Sequence, residues 1–597
     1  MREASVAPGG EFLAAVAHYR RGELTDAERL CSSVVRSEPK NFEARHLLGV
    51  ILIAGGDSHA AERELALAAA GMPASAPAHR NHGVALARLG RMEEALASFD
   101  RALALKPDDI ESLTARGNAC LALKRHEDAI AAYDRVLRVK PDQAVLWYRR
   151  AVALMALGRF EEGVASCDKA IALKPDNAEA LNARGTALYE LGRLEEAVAS
   201  YDAAIALKPD FLDALCSRGA AQHALDRLEE ALADFDRAIA ISPDFALAFS
   251  NRGNALQELK RPLEALASYD RALALDPDLH ETFFHRGTCK LSLGRMPEGW
   301  ADYEFVRKTK KYAWQRPAVT APDWSGENLN GRTILIFAEQ GQGDVFQLFR
   351  YLPVLVSRGA SVTFLVPERL IRVLTGLKGG VRLESQLDPS EHFDFQLPLM
   401  SLPHRFGTTL DTIPSASGPY LSAEPARVAE WRGKLGTDGL KIGVCWQGGL
   451  WQGSPALRGR SFAPKEFEPL ARVPGVRLIS LQKQYGLEQL AALPGGMSIE
   501  TLGDFDDGPD AFVDTAAAML ALDLIVTCDT SVAHLAGALG RPTWVALKYA
   551  ADWRWMVDRP DSPWYATLHL FRQTEPNNWH GVFSRMQAKL QRIVKPS

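Results

Sequence analysis

At 597 residues, 47% hydrophobic and 24% charged, the chain exceeds one ordinary domain and has the composition of a water-soluble protein. A net charge of −5 with no basic block excludes nucleic acid or an anionic membrane as the main partner, and no run approaches the ~18–20 apolar residues of a membrane span. The first residues show neither a sustained apolar run nor a cleavage pattern, so the expected compartment is the cytoplasm.

A repeat occupies residues 8–313. Pro39, Pro73, Pro107, Pro141, Pro175, Pro209, Pro243 and Pro277 stand 34 residues apart. Gly49, Gly83, Gly117, Gly185, Gly219, Gly253 and Gly287 keep that spacing, with Ala151 on the missing rung. Phe99, Tyr133, Tyr201, Phe235, Tyr269 and Tyr303 keep it too, each followed by an acid, and Cys167 interrupts them. A fixed period of this length marks stacked helix–turn–helix units. Proline ends the second helix of each unit, the small residue lets the first helix approach its neighbour, and the aromatic fills the space between repeats. The pattern resembles the tetratricopeptide repeat over about nine units and implies an α-solenoid that binds or positions a partner. In the last unit Gly299-Trp300 and Tyr303-Glu304 run into a Trp-rich segment, which predicts packing of that unit on the first lobe of the second half.

Residues 314–331, rich in proline and turn residues, read as a packed linker, and then the period changes. Runs 333–338, 361–366, 441–446, 476–481, 523–527 and 542–546 are continuous, β-rich and separated by amphipathic helical stretches, the pattern of parallel sheets covered on both faces. They group into an N-terminal α/β lobe over 332–425 and a C-terminal one over 440–597, joined through the proline-marked stretch 411–439 and closed by an amphipathic helix near the end. The seven cysteines form no CxxC pair, so neither a disulfide framework nor a zinc site is indicated.

Three loops fall at strand carboxyl ends, where open α/β sheets place ligands. In the first, Glu339 to Asp344, Gly341 and Gly343 allow a substrate close to the backbone, and Asp344 is either a helix N-cap or a catalytic carboxylate. The second holds Gly448 and Gly449 and then Arg460; glycine amides and a guanidinium suit a diphosphate, while a solvated loop is the plainer reading. The third runs Cys528, Asp529, Thr530, Ser531, Val532, Ala533, His534, with a helix starting at Thr530 or Ser531 whose free N–H groups suit an anion and Gly540 as its stop. His534 lies one turn in, as an orienting group or a packed core histidine.

The segment DTSVAHLAGALGRPTWVAL (529–547) resembles the donor-binding motif of glycosyltransferase family 9, the ADP-heptose:lipopolysaccharide heptosyltransferase family. The resemblance covers roughly residues 332–595 and includes Gly343-Asp344 and Arg460. It implies a GT-B fold of two facing Rossmann-like lobes, acceptor-side over 332–425 and nucleotide-sugar-binding over 440–597, and an inverting single displacement from a nucleotide-sugar. In that mechanism Asp344 takes the acceptor proton, while Gly448, Gly449, Arg460, Asp529 and the Thr530–Val532 amides hold the donor, with His534 orienting it. The tail 551–573 looks like the version in bacterial proteins that fuse such repeats to such a domain. The architecture also resembles protein O-linked N-acetylglucosamine transferases, whose inner-helix asparagines grip peptide; here Asn81, Asn118, Asn182, Asn251 and Asn254 form a broken version. The expected partners are thus a nucleotide-sugar co-substrate and a protein or glycan acceptor in the repeat groove. No metal and no other cofactor is expected, because the acidic stretch 503–510 reads as a solvated turn. A scaffold with a degenerate sugar-nucleotide domain and a sugar-nucleotide epimerase are the alternatives.

Overall fold

The computed structural model describes residues 8–594 apart from 310–316, 318, 377–378, 389, 450–458 and 508. The chain divides into two compact units, Met1–Arg227 and Leu228–Ser597.

The first unit is all helical, from Pro8–Arg20 to Leu212–Ala224. Each second helix of a repeat stops two residues before its ladder proline, as at Leu105 before Pro107 and Leu173 before Pro175. The glycine rung and the aromatic rung turn out to be one device. A Cβ on Gly83, Gly117 or Gly185 would lie 2.5–2.6 Å from the ring of Phe99, Tyr133 or Tyr201 in the same repeat, so the glycine gives the ring its seat. Where the rung is Ala151 the aromatic is replaced by Cys167, and both are buried in one cluster. The two departures compensate each other, because a larger floor takes a smaller lid.

A second periodic contact is not foreseen by the sequence reading. Arg116, Arg150 and Arg184 pair with Asp100, Asp134 and Asp168 at 2.6–2.8 Å, one repeat after another. In the second unit Arg252–Asp236 and Arg286–Asp270 continue the series. These are the acids that follow the aromatic rung. Such part-exposed pairs contribute little stability individually and chiefly fix register between neighbouring helices.

The second unit opens with the remaining repeat helices, Leu228–Ile241 to Met296–Tyr303, and continues into ten strands among the described residues. Strands β1 (Thr333–Phe337), β2 (Ser361–Leu365), β3 (Arg382–Glu384) and β4 (Phe395–Pro398) form a parallel sheet in the order β3-β2-β1-β4. Strands β5 (Leu440–Cys445), β6 (Val476–Ser480), β7 (Glu500–Thr501), β8 (Leu524–Cys528), β9 (Thr543–Leu547) and β10 (Leu568–Arg572) form a second one, ordered β10-β9-β8-β5-β6-β7. Its registers, Val444 opposite Val526 and Val526 opposite Trp544, are likewise parallel. Both strand orders reverse once, between β1 and β4 and between β5 and β8, and such reversals open a crevice at the strand carboxyl ends.

In the described part of the linker Trp324 is buried, and its backbone N–H donates to Gln396 O in β4 at 3.0 Å. Within 411–439 the chain forms the helix Pro425–Leu435. The closing helix runs Trp579–Val594 and buries Phe583 and Met586 against the β5–β8 side of the second sheet.

The last repeat joins both halves of the α/β region, not the first lobe alone. Trp300 meets Trp553 edge to face at 5.1 Å, and Tyr303 OH accepts from Gln340 Nε2 at 2.8 Å. The backbone N–H of Val557 also donates to Ser292 O at 3.1 Å.

Candidate functional site

The two strand-order reversals face each other through two helices. The helix after β1, Gln342–Leu348, packs on the helix after β8, Ser531–Ala538. Their first turns meet: a Cβ on Gly343 would lie 2.9 Å from His534 Cδ2 and 3.6 Å from Ser531 Cα. Gly343 therefore serves the approach of the two helices, which corrects the expectation that its bare backbone serves a substrate. Gly341 is the N-cap, with extended backbone, and a Cβ there would lie 3.3 Å from Asp344 Oδ2.

Asp344 is not the N-cap. It sits at the third helical position, and its Oδ2 reaches back to accept from Gly341 N–H at 2.9 Å. Its Oδ1 accepts from Arg554 Nη2. Arg554 comes from the segment after β9 and is largely buried; its Nε donates to Gln347 Oε1 and its Nη1 to Asp552 Oδ1, both at 2.8 Å. Its guanidinium also lies over the Trp553 ring at 4.3 Å. One buried cation thus ties the first loop to the second sheet.

In the third loop, Thr530 is the N-cap of the Ser531–Ala538 helix and its side chain makes no capping bond. The Thr530 hydroxyl instead lies 3.3 Å from that of Thr527. Among the described residues no side chain caps the first-turn N–H groups at half-buried Ser531 and at Val532. Gly540 ends the helix at φ +68°, and Arg541 N–H closes onto Ala536 O. Crowding by the protein and the neighbouring Asp552 charge push the Asp529 carboxyl up to about 6, against the pull of Arg460 and Arg554.

His534 is buried. Nδ1 lies 3.0 Å from Tyr565 OH, and the ring stacks on Trp555 at 5.2 Å. Burial, then the charges of Arg554, Arg350 and Arg460, hold it neutral by lowering its pKa well below the usual histidine range. It is the packed histidine of the two readings and brings no charge to a phosphate. In this layer Gln347 Nε2 is buried with no acceptor among the described residues, while the Trp555 indole N–H is directed at the Asp529 carboxylate.

The second loop contributes in part. The Arg460 guanidinium lies against Gly448, where a Cβ would meet Nη2 at 2.7 Å, and Gly448 N–H donates to Ser461 Oγ at 3.3 Å. Gly449 has open space around it. The stretch 450–458 between them lies outside the described residues.

Sequence reasoning missed Arg554, Asp552, Gln347 and Glu339. Glu339 is buried and accepts from Leu399 N–H and Met400 N–H at 3.1 and 3.0 Å, joining the ends of β1 and β4. Burial pushes its carboxyl up to about 8. The signal for Arg554 was its place between Trp553 and Trp555, since a guanidinium flanked by indoles is readily stacked and buried. Among the described residues no cluster of three metal-ligating side chains occurs and no helix is long and apolar enough to cross a membrane.

Of the asparagines, Asn118 and Asn254 accept from Tyr133 and Tyr269 hydroxyls at 2.9 Å, and Asn81 bonds to His46. Their polar atoms are thus partly used inside the array.

Comparison with known proteins places the repeats. Residues 185–226 and 223–260 match a TPR repeat model, and 12–77, 75–142, 114–178, 166–199 and 246–279 match tetratricopeptide repeat models. Over 290 residues the chain is 27% identical to Protein FlbA of Caulobacter vibrioides (strain ATCC 19089 / CIP 103742 / CB 15). That alignment takes in 45% of this chain and 48% of FlbA, so the chain spans about half the length of this relative. Among solved structures, YrrB, a TPR protein with an unusual peptide-binding site, is 26% identical over 31% of this chain and 95% of its own, with a TM-score of 0.29. A tetratricopeptide repeat protein from Parabacteroides merdae is 19% identical over 42% of this chain and 98% of its own, with a TM-score of 0.32. Residues 12–279 of this chain are tetratricopeptide repeats.

Proposed function

We propose that the chain is a glycosyltransferase of the GT-B type, which moves a sugar from a nucleotide-sugar to an acceptor recruited by the repeats. The observation that carries the reading is the meeting of two helix first turns at Gly343 and Ser531, each at the strand-order reversal of a parallel sheet. An uncapped helix N-terminus favours an anion through its N–H groups and dipole. Arg460 near Asp529, and the buried Gln347 N–H donor with no acceptor among the described residues, suit a diphosphate and its sugar.

In this reading the acceptor hydroxyl gives its proton to Asp344 as its oxygen bonds to the anomeric carbon, and the bond from that carbon to the diphosphate oxygen breaks. Asp344 keeps acceptor capacity for the proton, because a carboxylate has about four lone-pair sites and two hydrogen bonds fill only part of them. The Ser531 and Val532 amides and Arg460 take the charge that develops on the leaving diphosphate. The ring of His534 acts as packing under that turn.

A second reading, a repeat scaffold whose sugar-nucleotide domain no longer turns over, is favoured by one observation: Arg554 clamps the carboxylate that would serve as base. A thermal-shift screen with UDP-, GDP- and ADP-sugars followed by turnover assays tests both. One nucleotide-sugar that stabilises and is consumed supports the transferase, stabilisation without consumption supports the scaffold, and no stabilisation by any of them removes the donor site.

A further inference from the structure

We propose that Tyr303, the last aromatic of the repeat ladder, is a positioning residue of the candidate site, acting through Gln340 and Trp553 on the Asp344 carboxylate. Its effect on turnover rests on the transferase reading; its hold on the first loop does not.

The last repeat departs from the others at this residue. Tyr133, Tyr201 and Tyr269 lie inside helices of 14 residues, and a Cβ on Gly117, Gly185 or Gly253 would meet their rings at 2.4–2.5 Å. The corresponding helix of the last repeat, Met296–Tyr303, has 8 residues and ends at Tyr303 itself. A Cβ on Gly287 would meet Tyr303 N and Gly299 O at 2.8 and 2.9 Å, so backbone fills the seat that a ring fills elsewhere. The hydroxyls diverge in the same way. Those of Tyr133, Tyr201 and Tyr269 donate to Asn118, Thr186 and Asn254, each 15 residues earlier in its own repeat. At that register from Tyr303 stands Thr288, whose hydroxyl donates to His285 O at 2.8 Å. The Tyr303 hydroxyl instead leaves the array and accepts from Gln340 Nε2, in the loop that leads to Asp344.

Two routes lead from Tyr303 to the carboxylate. Gln340 precedes Gly341, whose N–H donates to Asp344 Oδ2 at 2.9 Å, so the bond from Tyr303 anchors the peptide that orients that oxygen. The Tyr303 ring packs edge to face on Trp553 at 6.3 Å. Trp553 in turn lies 4.3 Å under the Arg554 guanidinium, which donates to Asp344 Oδ1. One side chain of the array thus supports both hydrogen bonds of the proposed base. Burial, against the charge of Arg554 and with that of Asp344, pushes the pKa of the Tyr303 hydroxyl well above its usual range. It keeps its proton and acts through geometry, not charge.

The test uses the full chain with Tyr303→Phe, which keeps the ring and deletes the hydroxyl, with Gln340→Ala, and with both. Hydrogen exchange read by mass spectrometry should be about tenfold faster in peptides covering Glu339–Leu348 in each single variant. It should be no faster in the double variant, because the same bond is lost in all three. Tyr269→Phe, which deletes a hydroxyl bonded inside the array, should leave that segment unchanged. With a nucleotide-sugar that the wild type consumes, Tyr303→Phe should lower kcat about tenfold at an unchanged donor KM, a split that a purely structural residue would not give. Unchanged exchange at 339–348 in Tyr303→Phe overturns the proposal, as do additive effects in the double variant or an unchanged kcat. If the wild type consumes no nucleotide-sugar, the transferase reading fails, and the exchange rates still decide whether Tyr303 holds the loop.

Discussion

Arg554 Nη2 donates to Asp344 Oδ1 over a separation of 210 residues, and the same guanidinium holds Asp552 Oδ1 at 2.8 Å. The carboxylate proposed as the base is thus fixed by a cation from the other sheet's segment. Loop position and base orientation are coupled through one side chain.

Removing that cation strands two carboxylates in a largely buried place. Arg554→Met is expected to destabilise the second unit by about 3–5 kcal/mol in urea denaturation, the usual consequence of breaking a buried pair from one side. Asp344→Asn leaves Arg554 with Asp552 and Gln347, so its loss should be smaller, about 1–3 kcal/mol. Its turnover should nevertheless fall at least ~10²-fold if Asp344 is the base. A stability loss with unchanged turnover would make Asp344 a purely structural residue.

The helix seam gives a second, independent measure. Gly343→Ala places a methyl against His534, whose ring is already held by Trp555 and Tyr565, and should cost about 1–3 kcal/mol by overpacking. Gly449→Ala, with none of the described residues within 4 Å, should leave stability unchanged. Equal urea midpoints for wild type and Gly343→Ala would show that the two helices can separate at no penalty.

How much of this was legible depends on the range of the interactions. The repeat was readable throughout because its packing partners, such as Gly185 and Tyr201, lie 16 residues apart within a 34-residue period. The six strands named from sequence are buried on both faces and read as continuous apolar runs. Strands β3, β4 and β7 were missed because two to four residues cannot show a period, and β10 because His569 and Arg572 break its apolar run. The strand ends marked three loops correctly, yet the partners within the site were hidden. Nothing local to Asp344 announces Arg554, and nothing local to His534 announces the Trp555 and Tyr565 rings that hold it neutral.

In the first unit the glycine–aromatic seats, not the ion pairs, should carry the stability. Gly185→Ala drives a Cβ to 2.5 Å from the Tyr201 ring and is expected to cost about 1–3 kcal/mol. Arg184→Ala removes a pair whose aspartate is 53% exposed and should change stability by about 1 kcal/mol or less. Thermal denaturation of both variants checks the order, and a larger loss for Arg184→Ala would reverse this assignment.

Donor affinity should depend on pH through Asp529. Its carboxyl, raised to about 6, is charged above that pH and then opposes a nearby diphosphate. Binding an anion favours the protonated acid, so affinity should rise as pH falls from about 7.5 to 5.5. Asp529→Asn should bind more tightly than wild type at the upper pH and lose most of the dependence. Calorimetric titrations that are flat over this range in wild type would detach Asp529 from the donor.

The central claim is that the first turn at Ser531 holds the donor diphosphate, and isothermal titration of nucleotide-sugars into wild type and Ser531→Asp tests it most directly. Aspartate is a good residue at a helix start, so the variant should fold with near-wild-type stability while its charge repels the diphosphate. The account predicts saturable binding of one nucleotide-sugar by wild type and none by the folded variant. Equal donor affinity in the two proteins would contradict it.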